Sequence, residues 1–232
     1  MKYRILIFLI TSIIFLSCDN RSMSEYAAEE NPKEYKEFLS KEKAGIESFM
    51  KKLSAMQTIV EKDTLNTPQT LKLNKQLIIK GEGQNAVVFE LFLLQKPKDS
   101  LRTDQFYNFA HNDVYNAMKD MLTGTYDPVQ RYINTDLPAI KSLSAVEYVI
   151  ITNQKSYDYP YVMADKFERG SFRGYGHVFD LKTSQRIAIV PFSGESSAAI
   201  SYDDDHSAGK MLDEDIRKNV YFNFCDSLGI KR

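Results

Sequence analysis

The 232-residue chain has two cysteines, Cys18 and Cys225, and no tryptophan. So few thiols exclude a disulfide framework, and the fold must rest on apolar burial. Fourteen tyrosines and 14 phenylalanines supply the large buried area that tryptophan does not. No block of Lys and Arg stands out and the formal charge is −1. Nucleic acid binding, which needs clustered cations, is excluded on that ground, as is a polybasic membrane patch. The three histidines, His111, His177 and His206, are scattered and lack zinc-site spacing such as H-E-x-x-H. Gly170, Gly174 and Gly176 precede an apolar run with no Lys-Ser/Thr directly after any of them, so they make neither a P-loop nor a dinucleotide fingerprint. They read as turn geometry before a strand, and no cofactor is implied.

What the chain does have begins at its N-terminus. Met1-Lys2-Tyr3-Arg4 is basic, Ile5–Leu16 is apolar apart from Thr11 and Ser12, and Ser17-Cys18 follows. A basic segment, an apolar segment and a small residue before the cut are the parts of a secretory leader. The apolar run holds 12 residues, against about 20 needed to span a bilayer. Phe15-Leu16-Ser17-Cys18 resembles the lipobox of bacterial lipoprotein precursors, with Phe15 and Leu16 bulkier than that pattern prefers. The resemblance implies cleavage before Cys18, acylation of its thiol, attachment to a bilayer and residence in the cell envelope. Two or three acyl chains would make that attachment stable, since each buried CH₂ contributes about 0.8 kcal/mol. A lipidated Cys18 leaves Cys225 alone. Removing Lys2 and Arg4 with residues 1–17 leaves 28 basic residues against 31 acidic.

Residues 18–31 are polar beyond the cysteine and read as a tether; its 13 residues from Asp19 would reach roughly 20 Å as random coil. Residues 32–232 then form one domain. Asn31-Pro32 predicts a helix start, and helical spacing runs from Tyr35 to Val60 with Gly45 as a weak point. Thr67-Pro68 marks a boundary. Leu71–Lys80 and Ala86–Gln95 read as a hairpin about the Gly81–Asn85 turn, though the second run also suits a buried helix. Asp104–Leu122 has helical spacing with Gly124 as its stop, and residues 125–143 look irregular around Pro128 and Pro138. Val146–Thr152 reads as a central strand. Tyr175–Lys182 and Arg186–Phe192 form a hairpin through Thr183-Ser184-Gln185, with Pro191 placing the second strand at an edge. The pattern resembles strand pairs of bacterial envelope proteins in which glycine often replaces Ser184. Lys210–Leu228 closes as an amphipathic helix ended by Gly229, with Asp213, Glu214 and Asp215 in its first turn. The expected class is α+β: an antiparallel-dominated sheet of about five strands, with three helices packed mainly on one face.

Three places carry candidate chemistry. Between Asn153 and Val178 aromatic residues interleave with cations. Tyr157, Tyr159, Tyr161, Phe172, Arg173 and Tyr175 are candidates for partner binding, because Tyr and Arg offer wide amphipathic area and several donors. The same aromatics also suit a connection that folds back on the sheet. Asp203, Asp205 and His206 could hold a hard cation, or form a solvated acidic loop. Gly194-Glu195-Ser196-Ser197-Ala198 lacks the closing glycine of a nucleophile elbow, so catalysis would fall to His177 or His206 with nearby carboxylates, in a hydrolase. Cys225 lies beside the apolar face of the last helix, where a packed thiol is the usual outcome. The leading expectation is a non-catalytic envelope lipoprotein that binds another envelope protein. A hydrolase and a small-ligand carrier are the alternatives.

Overall fold

The computed structural model describes residues 23–64, 67–70, 72–73, 75–95, 111–131, 133–163, 166–198 and 208–230. The leader and Cys18 lie outside them. The first helix, α1, spans Met23–Lys62, so it begins well before the expected start at Asn31-Pro32 and takes Pro32 into its interior. Met23-Ser24-Glu25 and Ala27-Ala28-Glu29-Glu30 are mostly strong helix formers, which is why the segment read as a coil tether is helical from Met23. Asn31 does not cap; its Nδ2 donates to the Pro128 carbonyl at 3.1 Å. The helix ends at Lys62, two residues past the last position of the helical spacing, Val60.

The expected hairpin over 71–95 does not form. Gln69 and Leu77 make single bridges to Ile189 and Ile230. The apolar run divides into strand β1, Ala86–Glu90, and a short helix α2, Leu91–Gln95. All five β1 residues are buried, and β1 pairs in parallel with the later strand β2, Tyr148–Asp158. Its outer edge is closed by the chain at His111 and Asn112: His111 N–H donates to Val88 O, Val88 N–H to His111 Nδ1 and Glu90 N–H to Asn112 Oδ1. Helix α3 spans Asn112–Thr123 and stops at Gly124, in the left-handed region at φ 74°. The rest of the run expected to be helical from Asp104 lies outside the described residues. The stretch taken as irregular contains helix α4, Ile133–Ser142, with Pro138 on its exposed side. There the lost backbone hydrogen bond falls on a helix held by Ile133, Leu137 and Ile140 in the core.

Beyond β2 come β3, Tyr161–Met163, and β4, Lys166–Glu168, which pair as a small two-stranded sheet. The hairpin expected at residues 175–192 is present as β5, Ser171–Asp180, and β6, Arg186–Glu195. Helix α5, Ala208–Leu228, closes the fold, and Gly229 follows at φ 62°. The main sheet has the order β1-β2-β5-β6, which makes β2 internal and puts Pro191 on an edge strand as expected.

The class is therefore α+β. Three features differ from expectation: the main sheet has four strands, its β1–β2 pairing is parallel, and five α-helices, not three, stand among the described residues. The helices also do not share one face. Phe49, Leu53 and Met56 of α1 pack with Met118, Ile140, Val149, Ile151 and Phe179 on one side. Ile216, Val220 and Phe224 of α5 pack with Ile150, Val178 and Val190 on the other. Strands β2 and β5 are buried on both sides through Val149–Ile151 and His177–Phe179, so each face needs its own cover.

Close approach on the α5 side depends on glycine. A Cβ at Gly194 would stand 2.5 Å from Val220 Cγ2 and 2.7 Å from Val220 N. Asn219 and Asn223 of α5 donate to the Glu195 and Ser193 carbonyls. They satisfy acceptors on the open edge of β6 and blunt it against foreign strands.

Candidate partner-binding corner

The interleaved aromatic segment is the continuation of β2 and β5 past the core, and its six candidate residues separate into two groups. Phe172 is fully buried, stacked on Phe192 at 5.6 Å, and belongs to the core. Tyr157 is half-buried; its hydroxyl donates to the Asp213 carboxylate, which also accepts from Arg217 Nε at 2.8 Å. Burial first, and then the hydrogen bond to Asp213, push the Tyr157 phenol well above its ordinary pKa. These two residues fix the corner to α5.

The others remain accessible. Tyr159 is 66% exposed and Tyr161 43%, on either side of Pro160 at the turn from β2 into β3. The Tyr159 ring meets Tyr157 edge-on at 4.5 Å. The base of the turn is tight: Ser171 Oγ donates to Asp158 at 2.7 Å, and Gly170 and Ser196 exchange Gly170 N–H to Ser196 Oγ and Ser196 N–H to Gly170 O. Exposed Arg173 and half-buried Tyr175 line a cleft of about 650 Å³ with Lys155, Pro191, Ser193 and Asp226. Lys155 sits at a register shift between Gln154 and Ser156, a bulge that re-aims its strand. The corner thus offers rings, a guanidinium, an ammonium and a carboxylate above a hydrogen-bonded base.

The catalytic candidates do not converge. Ser196 is buried and spends its hydroxyl on Gly170. His177 is fully buried between the cross-strand residues Ile151 and Ile189. Its Nδ1 lies 3.4 Å from Arg186 Nη1, which pairs with Asp63 at 2.5 Å, and its Nε2 has no hydrogen-bond partner among the described residues. Burial, then the Arg186 charge, lower its pKa to about 4. Substrate has no path to an imidazole enclosed in this way, so His177 is not placed to act as a general base. His111 is held by Val88 and Gln84 at the edge of β1. Asp203, Asp205 and His206 lie outside the described residues, and among the described residues no group of His, Cys, Asp and Glu could hold a metal. Cys225 is buried in the α5 core, as its place on the helix suggested.

Two arrangements were not visible in the sequence: the Asp63–Arg186–His177 chain, and an apolar cleft along α1 below Gly45. Gly45 itself was the available clue to the second. No described helix is long and apolar enough to cross a membrane. No protein-family model, curated protein or solved structure matches the chain.

Proposed function

We propose that the chain is a bacterial envelope lipoprotein, anchored to a membrane through acylated Cys18, whose α+β domain binds another envelope protein without catalysis. The observation that carries the binding reading is the exposure of Tyr159 and Tyr161 on a corner whose base is held by hydrogen bonds. Leaving aromatic rings in water while the turn beneath them is held by hydrogen bonds suits a contact surface, since rigid Tyr gives area at low entropic cost. Arg173 and Tyr175 extend that surface into the adjoining cleft. The anchor reading rests on the order of Lys2 and Arg4, the Ile5–Leu16 run and Ser17-Cys18.

Two measurements test the two halves. Crosslinking in cells from position 159 should trap a protein partner. The triple variant Tyr159→Ala, Tyr161→Ala, Arg173→Ala should lose that partner on purification while keeping its melting temperature; retention of the partner removes this surface from the proposal. Intact mass of the protein from its native membrane fraction should give a chain beginning at Cys18 with two or three acyl groups, and an unacylated chain removes the anchor.

A further inference from the structure

Gly45 lies within α1, where glycine is the poorest helix former after proline. Packing does not require it, because a Cβ built there meets nothing within 4 Å. The missing side chain instead opens the mouth of a cleft of about 210 Å³ between α1, α3, α4 and the start of the β5–β6 turn. Ile46, Phe49, Met118, Ile140 and Leu143 line it, and all are buried residues of the main core. A cavity of about 150 Å³ with aliphatic and aromatic walls takes benzene, so there is room here for an apolar body of about six to eight carbons.

The cleft carries two cations, Lys52 and Lys141, against one carboxylate. Lys52 Nζ donates to the Leu181 carbonyl at 3.0 Å, which leaves other donors of the ammonium unspent. Lys141 lines the same cleft, exposed, and makes no ion pair among the described residues. Glu42 is a carboxylate at the mouth, and Ser48 and Ser144 add hydroxyls. On the far side of Lys52, Glu147 is engaged by Lys75 at 2.7 Å, with Asp180 and Lys182 nearby. Two ammonium groups beside an apolar wall complement a single anionic head, because charge-assisted hydrogen bonds strengthen where water is scarce.

We infer that this cleft binds a small monocarboxylate, its apolar body against Ile46, Phe49 and Leu143 and its carboxylate between Lys52 and Lys141. The site is separate from the corner at Tyr159 and does not depend on it.

The test uses the full chain in lipid nanodiscs, with empty nanodiscs as the reference for partition into lipid. The probe is 4-fluorophenylacetate, followed by fluorine NMR, with 4-fluorobenzyl alcohol as the neutral control. Saturable binding of the acid is expected, with the alcohol about tenfold weaker or more. Gly45→Leu favours the helix and fills the mouth, so it should abolish binding with no loss of melting temperature. Lys52→Met with Lys141→Met should weaken the acid at least about tenfold and leave the alcohol unchanged. Equal binding of acid and alcohol, unchanged binding by Gly45→Leu, or no saturation up to about 10 mM overturns the inference.

Discussion

Replacing Gly194 by alanine adds one methyl group at the point where α5 lies against β6. That methyl would stand 2.5 Å from Val220 Cγ2, 2.7 Å from Val220 N and 3.0 Å from Val220 Cα. Carbon contacts settle at about 3.5–4.0 Å, so relief requires a shift of about 1 Å between elements. Two of the three atoms are helix backbone, and the valine cannot rotate away from them. The helix is held in place by Leu212, Ile216, Val220 and Phe224, all fully buried, so moving it loosens a whole face of the sheet. Overpacking of this kind costs about 1–3 kcal/mol, and the backbone contact places this case at the upper end. Alanine recovers about 0.4–1 kcal/mol by restricting the unfolded chain. The net loss is about 2 kcal/mol, equivalent to a fall in melting temperature of about 4–8 °C for a domain of this size.

Gly176→Ala is the internal control. It lies in the neighbouring strand β5, but its nearest contacts would be Leu228 Cδ1 at 3.4 Å, Phe224 at 3.6 Å and Ile150 at 3.7 Å. Those are ordinary van der Waals distances to side-chain atoms, and the variant should stay within about 0.5 kcal/mol of the parent. Urea unfolding of both variants, with m unchanged and only the midpoint moving, gives the comparison. Equal effects at the two positions, or a Gly194→Ala loss below about 0.5 kcal/mol, would refute the close-approach reasoning.

Three further outcomes follow from the same structure. His177 has its folded pKa lowered to about 4, so the unfolded chain binds more protons between about pH 6.5 and that value. Its contribution is complete above about pH 6.5 and is lost as pH falls toward 4, with a ceiling of about 3 kcal/mol. His177→Leu should flatten that part of the pH–stability curve, measured as the difference from the parent in urea midpoint at pH 7 and pH 4.5. Ser184 holds φ at 57° in the β5–β6 turn, so Ser184→Gly should raise the melting temperature by relieving about 1 kcal/mol of left-handed strain; a lower melting temperature contradicts this. Tyr157→Phe breaks the link to Asp213 and should cost about 1 kcal/mol or more in chemical denaturation, and a neutral result means the corner is not held by that bond.

Local chemistry was legible wherever it acts alone. The 3.6-residue spacing of Leu212, Ile216, Val220 and Phe224 marks α5, and all four are buried. The density of Val149, Ile150 and Ile151 marks an internal strand, and Pro191 marks an edge. Gly124 and Gly229 end helices in the left-handed region. The lipobox-like order around Cys18 is likewise a sequence property, and the anchor proposal stands on it.

Pairing, faces and the fate of each candidate residue belong to the tertiary structure. An apolar run such as Ala86–Gln95 does not state its partner, and the parallel contact with β2 divides it into strand and helix. Tyr157, Tyr159, Tyr161 and Phe172 are alike in sequence character, yet Phe172 is core and Tyr159 is exposed, because α5 covers only part of the extended strands. Asp213 and Asp215, expected to favour a first helical turn, lie farther inside α5 and instead accept from Tyr157 and the Ser197 amide. Asp63 and Arg186 are 123 positions apart, and no local pattern joins them. Periodicity reports which residues want burial; only the packed chain, where each face has one cover, decides what buries them.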